Sequence, residues 1–124
     1  MQLTHDLPDY AYTLRMADGR QARVNDRLLT RSFILAPDTL VEHWDAPAAA
    51  ELQPQQLQPL LELNPALVIL GTGERQVFPP AAALALFLTR GIGIEVMNNA
   101  AAARTYNVLA AEGRRVAVGF LLEG

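Results

Sequence analysis

The chain has 124 residues, of which 51% are hydrophobic and 19% charged, and its net charge is −3. That size suits one domain with one core, and the composition excludes a disordered chain, which would carry more charge and fewer apolar residues. The acidic surplus argues against nucleic-acid binding, and the absence of cysteine excludes disulfides, zinc–thiolate sites, iron–sulfur clusters and thiol catalysis.

Met1 to Pro8 reads as a leader. Met1 to Tyr10 carries Asp6 and Asp9 and no apolar core, so it is not a secretory signal. Tyr10 to Met16 alternates apolar and polar residues, as a strand does. Asp18-Gly19 is a hairpin signal, and Gln21 to Val24 is the returning strand. Asn25-Asp26 turns the chain again. Leu28 to Leu35 is predicted as a third strand, ended by Pro37-Asp38, and Thr39 to Trp44 as a fourth. Trp44, Phe33 and Phe87 are core candidates, although an exposed Trp44 would mark a partner surface.

Asp45 to Leu63 has a different character. Asp45 and Pro47 can start a short helix. Pro54 and Pro59 then argue against a long one. The leucines at 52, 57, 60, 61 and 63 can dock this connector on a core.

Leu67 to Leu70 is a continuous apolar run, the pattern of a strand buried on both faces in a parallel sheet. Pro79-Pro80 opens a helix over Ala81 to Thr89, and Gly91 closes it. Ile94 to Met97 is the next strand. Asn98 or Asn99 caps a second helix, Ala100 to Glu112, which ends at Gly113. Val116 to Leu122 is the last strand. The expected fold is therefore α/β: one domain over residues 1–124, with a mixed sheet, an antiparallel amino-terminal half, a βαβαβ carboxyl-terminal half and two main helices.

The loop Gly71-Thr72-Gly73-Glu74-Arg75-Gln76 leaves the inner strand at its carboxyl end, where ligand crevices form in open α/β sheets. Two glycines allow a sharp turn and close approach to a ligand. A dinucleotide site needs a third glycine and an immediate helix, yet position 76 is glutamine and proline delays the helix. A Walker-type cradle needs lysine, and all ten basic residues are arginine. Genomic base composition accounts for that arginine bias, since the arginines are scattered and alanine is also abundant. The plain reading of the loop is a tight strand exit. Arg75 could hold an anion or simply pair with Glu74.

Arg104 and Asn107 lie three residues apart on one side of the second helix. They could face the Gly-Thr-Gly loop and form a polar pocket. Stapling the helix to the sheet is the preferred alternative. Ala102, Tyr106 and Leu109 form the stripe expected to face the core. His5 and His43 lack partners at metal-ligand spacing. Ser32, the one serine, stands outside any nucleophile-elbow motif. No metal or cofactor site is expected, and no segment approaches the ~20 apolar residues that span a bilayer. A soluble, cytoplasmic location is expected.

The Gly71-Thr72-Gly73-Glu74 exit, the Gly93-Ile94-Glu95-Val96-Met97 strand and the Arg104-Thr105-Tyr106-Asn107 helix together resemble a known family. It is a small single-domain family of uncharacterised bacterial and archaeal proteins. It includes a mitochondrial NADH dehydrogenase (complex I) assembly factor and an adipogenesis-associated animal protein. The likeness is strongest over Leu67 to Leu122 and extends more weakly to Asn25, Ser32 and the Pro37 to Trp44 segment. Asn98-Asn99 departs from the Asp-Thr-like dipeptide of relatives but can cap equally well. The resemblance implies a compact α/β domain with no established enzyme activity and no cofactor. The better-understood member of that family assists assembly of a respiratory complex by binding other proteins, and the same role is carried to this chain by analogy. Two functions follow as expectations. The first is a non-enzymatic protein-binding or assembly factor. The second is an anion- or nucleotide-binding domain, or an enzyme, using Gly71, Gly73, Arg75, Arg104 and Asn107. The candidates for binding either a ligand or a partner are Gly71, Thr72, Gly73, Glu74, Arg75, Arg104 and Asn107.

Overall fold

The computed structural model describes residues 11–123; the expected leader and Tyr10 lie outside them. The chain first forms a meander of β1 (Leu14–Ala17), β2 (Ala22–Val24) and β3 (Arg27–Leu29). These three strands pair antiparallel as a sheet of their own. The β1–β2 turn is fixed by Asp18, whose carboxylate accepts hydrogen bonds from the Arg20 and Gln21 amides at 2.8 and 2.9 Å. Those amides hold the Asp18 carboxyl below the usual carboxylate range.

The second sheet has five strands: β4 (Phe33–Ala36), β5 (Thr39–Val41), β6 (Leu67–Gly71), β7 (Gly93–Met97) and β8 (Val116–Phe120). Their order is β5-β4-β8-β6-β7. β6 lies between β7 and β8 and runs parallel to both, while β4 joins β8 antiparallel. The helices are α1 (Pro54–Leu61), α2 (Ala81–Leu88) and α3 (Asn99–Ala111). A parallel connection needs a crossover, and α2 and α3 supply the two crossovers of the β6-α2-β7-α3-β8 run.

Side-chain alternation divides the core into two layers. Phe33, Leu35, Ile69, Val116, Val118 and Phe120 point to the layer shared with α3 and the meander. Ile34, Val68, Leu70, Ala117 and Leu121 point to the layer shared with α1 and α2. Phe33 and Phe120, directly opposite in register, stack with ring centroids 5.0 Å apart. Such a pair adds about 0.5–1.5 kcal/mol beyond its area burial. Trp44 is buried, and its indole N–H donates to the Gln56 carbonyl at 2.7 Å.

The expected α/β class holds, with differences in particulars. The predicted strand over Leu28 to Leu35 is two strands in different sheets, broken at Thr30 to Ser32. Both flanks have extended-chain propensity, and only tertiary packing assigns them to separate layers. The described residues hold three α-helices where two main helices were expected. Pro54 occupies the first turn of α1, where its missing N–H is harmless. Pro59 does weaken the interior, but Leu57 and Leu60 of this helix are fully buried and hold it to the sheet.

Gly119 on β8 lies under Trp44: a Cβ there would come within 2.7 Å of the indole ring. Gly119→Ala therefore overpacks a filled layer. It should lower unfolding free energy by about 1–3 kcal/mol, measured by urea denaturation.

Candidate functional site

β6 ends at Gly71, and Thr72 and Gly73 carry the chain out over the neighbouring β7 exit. The Thr72 amide donates to the Met97 carbonyl at 3.0 Å, continuing the ladder by one bond. The Thr72 hydroxyl donates to the Arg75 carbonyl at 2.6 Å and accepts from the Val77 amide at 3.0 Å. One side chain thus closes the loop on itself. Gly73 has φ of 99°, a region that favours glycine. Its carbonyl accepts from the Asn99 amide at 2.8 Å.

Asn98 caps α3, accepting from the Ala101 amide at 2.8 Å. Asn99 does something else. It is fully buried at 0% exposure. Its Oδ1 accepts from the Gly73 amide at 3.0 Å. Its Nδ2 donates to the Asp18 carbonyl at 2.8 Å and the Leu121 carbonyl at 2.9 Å. One amide therefore joins the glycine loop, the meander turn and the β8 exit to the start of α3. Gly71 is glycine because a Cβ would run into Asn99 Oδ1 and lie 3.1 Å from the Phe120 ring.

The crevice between the β6 and β7 exits, where α/β sheets commonly bind ligands, is filled by these internal bonds. A hollow of about 300 Å³ lies to one side, lined in part by Ser32, Pro47, Thr72, Gly73 and Leu122. Ser32 Oγ accepts from the Leu122 amide at 2.9 Å. Glu74 and Arg75 are exposed. Gln76 reaches across and donates from Nε2 to the Val96 carbonyl at 2.8 Å. Val77 is 39% and Phe78 61% exposed. Pro79 is buried beside them, and Pro80 caps α2.

Arg104 and Asn107 do not line the hollow beside Thr72 and Gly73. Asn107 clamps β1: its Oδ1 accepts from the Leu14 amide at 3.0 Å and its Nδ2 donates to the Leu14 carbonyl at 2.7 Å. Tyr106 adds a bond from its hydroxyl to the Tyr12 carbonyl at 2.7 Å. The stapling alternative describes Asn107. Arg104 is exposed and lines a different hollow, with Arg15 and Met16. Among the described residues, no group of three or more histidines or carboxylates could hold a metal ion.

The sequence leaves Asn98 and Asn99 as alternative caps of α3; the structure gives the cap to Asn98 and an internal role, not expected from the sequence, to Asn99. A trace was present: one asparagine suffices to cap a helix, and a second at its first position is a poor helix former without a task. Phe78 and Gln76 carried no periodic signal.

These features describe a compact α/β domain of mixed sheets in which the glycine turn is a structural joint. It is similar to solved structures of the Mth938-like kind. A Bordetella pertussis protein described as an Mth938-like domain is 31% identical, with a TM-score of 0.79, covering 100% of this chain and 94% of that one. A Xanthomonas campestris protein, solved by NMR, is 60% identical with a TM-score of 0.83, covering 98% and 92%. The pattern of the family described as "Protein of unknown function (DUF498/DUF598)" matches residues 15–121, and the chain belongs to that family. A Francisella tularensis relative named "13 kDa major membrane protein" is 29% identical over 85 residues, 68% of this chain and 69% of that protein. Among the described residues of the present chain, no helix is long and apolar enough to cross a membrane.

Asn99→Ala leaves the Gly73 amide and two carbonyls without their partner. The expected loss is about 3 kcal/mol or more, from several buried groups at about 1–3 kcal/mol each. Gly71→Ala should also destabilise, because it drives a methyl into the same amide. Thermal denaturation of both variants tests this, and wild-type stability in Asn99→Ala would show that the Asn99 amide is not a structural joint.

Proposed function

We propose that this protein is a non-enzymatic, cytoplasmic binding module that docks on a protein partner, in the manner of a complex-assembly factor. The observation that carries the reading is Phe78. Its ring is 61% exposed, yet the backbone that presents it is tied down on both sides. The Val77 amide is bonded to Thr72, Gln76 is bonded to the β7 edge, and the two prolines follow. An aromatic side chain held out by a fixed loop loses little freedom on docking. Residues of this kind dominate interface energies. Glu74 and Arg75, exposed earlier in the same loop, add opposite charges that can set register with a partner. Gly71, Thr72 and Gly73 shape the loop that supports them. The resemblance to a family containing a complex I assembly factor supports the same reading by analogy.

A second reading places a small anion or nucleotide in the hollow beside Thr72 and Gly73; Glu123 lines that hollow and Arg75 does not, so exposed Arg75 must reach in from the adjoining loop to supply the counter-charge. Ser32 favours it: its oxygen accepts from the Leu122 amide, which leaves the hydroxyl hydrogen to donate. A bound ligand at ~100 times its dissociation constant would stabilise the fold by about 2.7 kcal/mol. A thermal-shift series with phosphate, carboxylates and nucleotides tests this, with Arg75→Ala expected to abolish the shift. No shift with any of them would dispose of this reading.

The docking reading is tested by mild cross-linking and mass spectrometry on tagged protein from its native cells. Wild type should retain a defined protein at constant stoichiometry. Phe78→Asp should lower affinity about thirtyfold, as loss of a hot spot worth ~2 kcal/mol does, while thermal stability stays unchanged. No stable partner, or equal capture by Phe78→Asp, would count against the proposal.

A further inference from the structure

The net charge of −3 conceals a charge separation. Between Arg15 and Arg31 the sequence holds five arginines against two aspartates. The meander buries one face, through Leu14, Ala17, Ala22, Val24 and Leu29. Among the described residues, nothing covers its other face. Met16 pairs with Arg23, and Arg23 with Leu28, so the three stand in one cross-strand row. Met16 is 37% and Leu28 49% exposed. The register shift between Leu14 and Met16 places Arg15 beside this row. Arg15 and Met16 share with Arg104 a hollow of about 280 Å³, lined also by Ala100 and Ala103. Among the described residues, the one ion pair joins Arg27 to Glu42. Among the same residues, Arg15, Arg23 and Arg104 show neither an ion pair nor a hydrogen bond from their guanidinium groups. The two aspartates, Asp18 and Asp26, sit in the turns at the ends of the meander strands.

We infer that this face, Arg15, Arg23 and Arg104 with Met16 and Leu28, is a landing surface for an anionic lipid membrane. The inference goes beyond the protein-docking loop and involves different residues. Salt screens charges beyond about 8–10 Å, so the local cationic face outweighs the remote acidic surplus. A guanidinium fork matches phosphate oxygens, and the hollow between Arg15 and Arg104 can receive a headgroup phosphate. Met16 and Leu28 enter the headgroup layer between the charges. An open sheet face mixing unpaired guanidinium groups with aliphatic side chains suits a fluid phosphate-rich plane, which requires no shape match.

Co-sedimentation of the full chain tests it. The protein should bind vesicles of phosphatidylcholine mixed with phosphatidylserine at low salt. It should not bind pure phosphatidylcholine, and binding should fall as salt rises. Each of Arg15→Gln, Arg23→Gln and Arg104→Gln should lower the partition about fivefold, the effect of one basic residue at such a surface. Arg90→Gln, on the α2 side of the five-stranded sheet, should change nothing. Circular dichroism confirms that each variant is folded. Equal binding to both vesicle types, no binding to either, or an equal loss with Arg90→Gln would overturn the inference. So would retention on polyglutamate without vesicle binding, which would assign the face to an acidic protein.

Discussion

The Asn99 side chain sets the geometry around the carboxyl end of the parallel strands. An amide buried without partners would be costly. Here its oxygen and both of its N–H bonds are used, each on a different segment. The partners are distant in sequence: the meander turn, the glycine loop and the end of β8. Forming them requires that both sheets and α3 already be in place. The same amide demands Gly71, and the backbone bond to Gly73 demands the unusual loop path. The glycines of the Gly-Thr-Gly motif are thereby explained by packing and backbone conformation.

This changes what the motif means. In dinucleotide-binding folds, glycines at this place clear room for phosphate. In this protein the cleared room is taken by a side chain from α3. The chemistry available at the strand ends moves outward, to exposed Glu74, Arg75, Val77 and Phe78 on the far part of the loop. Such a surface is suited to touching another molecule. The exposed side of the meander offers a second and chemically different surface, with arginines where the loop is aromatic.

The carboxyl-terminal half was readable because its signals are local. Proline opens α2, glycine closes both later helices with positive φ, and unbroken apolar runs mark β6 and β8. The split of Leu28 to Leu35 between two sheets was not readable, since nothing in the local residues names the sheet each half joins. Arg104 and Asn107 show the same limit. Their spacing correctly placed them on one side of the helix, but β1, the element that Asn107 grips, comes from the other end of the chain. Phe78 was hidden for another reason. An exposed aromatic breaks no pattern when it sits in an irregular loop.

The Gln76 side chain has a wider consequence. β7 is an outer strand, and since Met97 bonds inward to Thr72, the alternation of the ladder turns the backbone groups of Ile94 and Val96 outward. Unpaired groups along such a margin invite another chain to add itself. Gln76 occupies the Val96 carbonyl, and exposed Glu95 brings a charge to the same strand. The loop that holds Phe78 out to solvent is thus also the stopper on the sheet's growth. Whatever lifts that loop frees the Val96 carbonyl and leaves the charge of Glu95 as the guard on that margin.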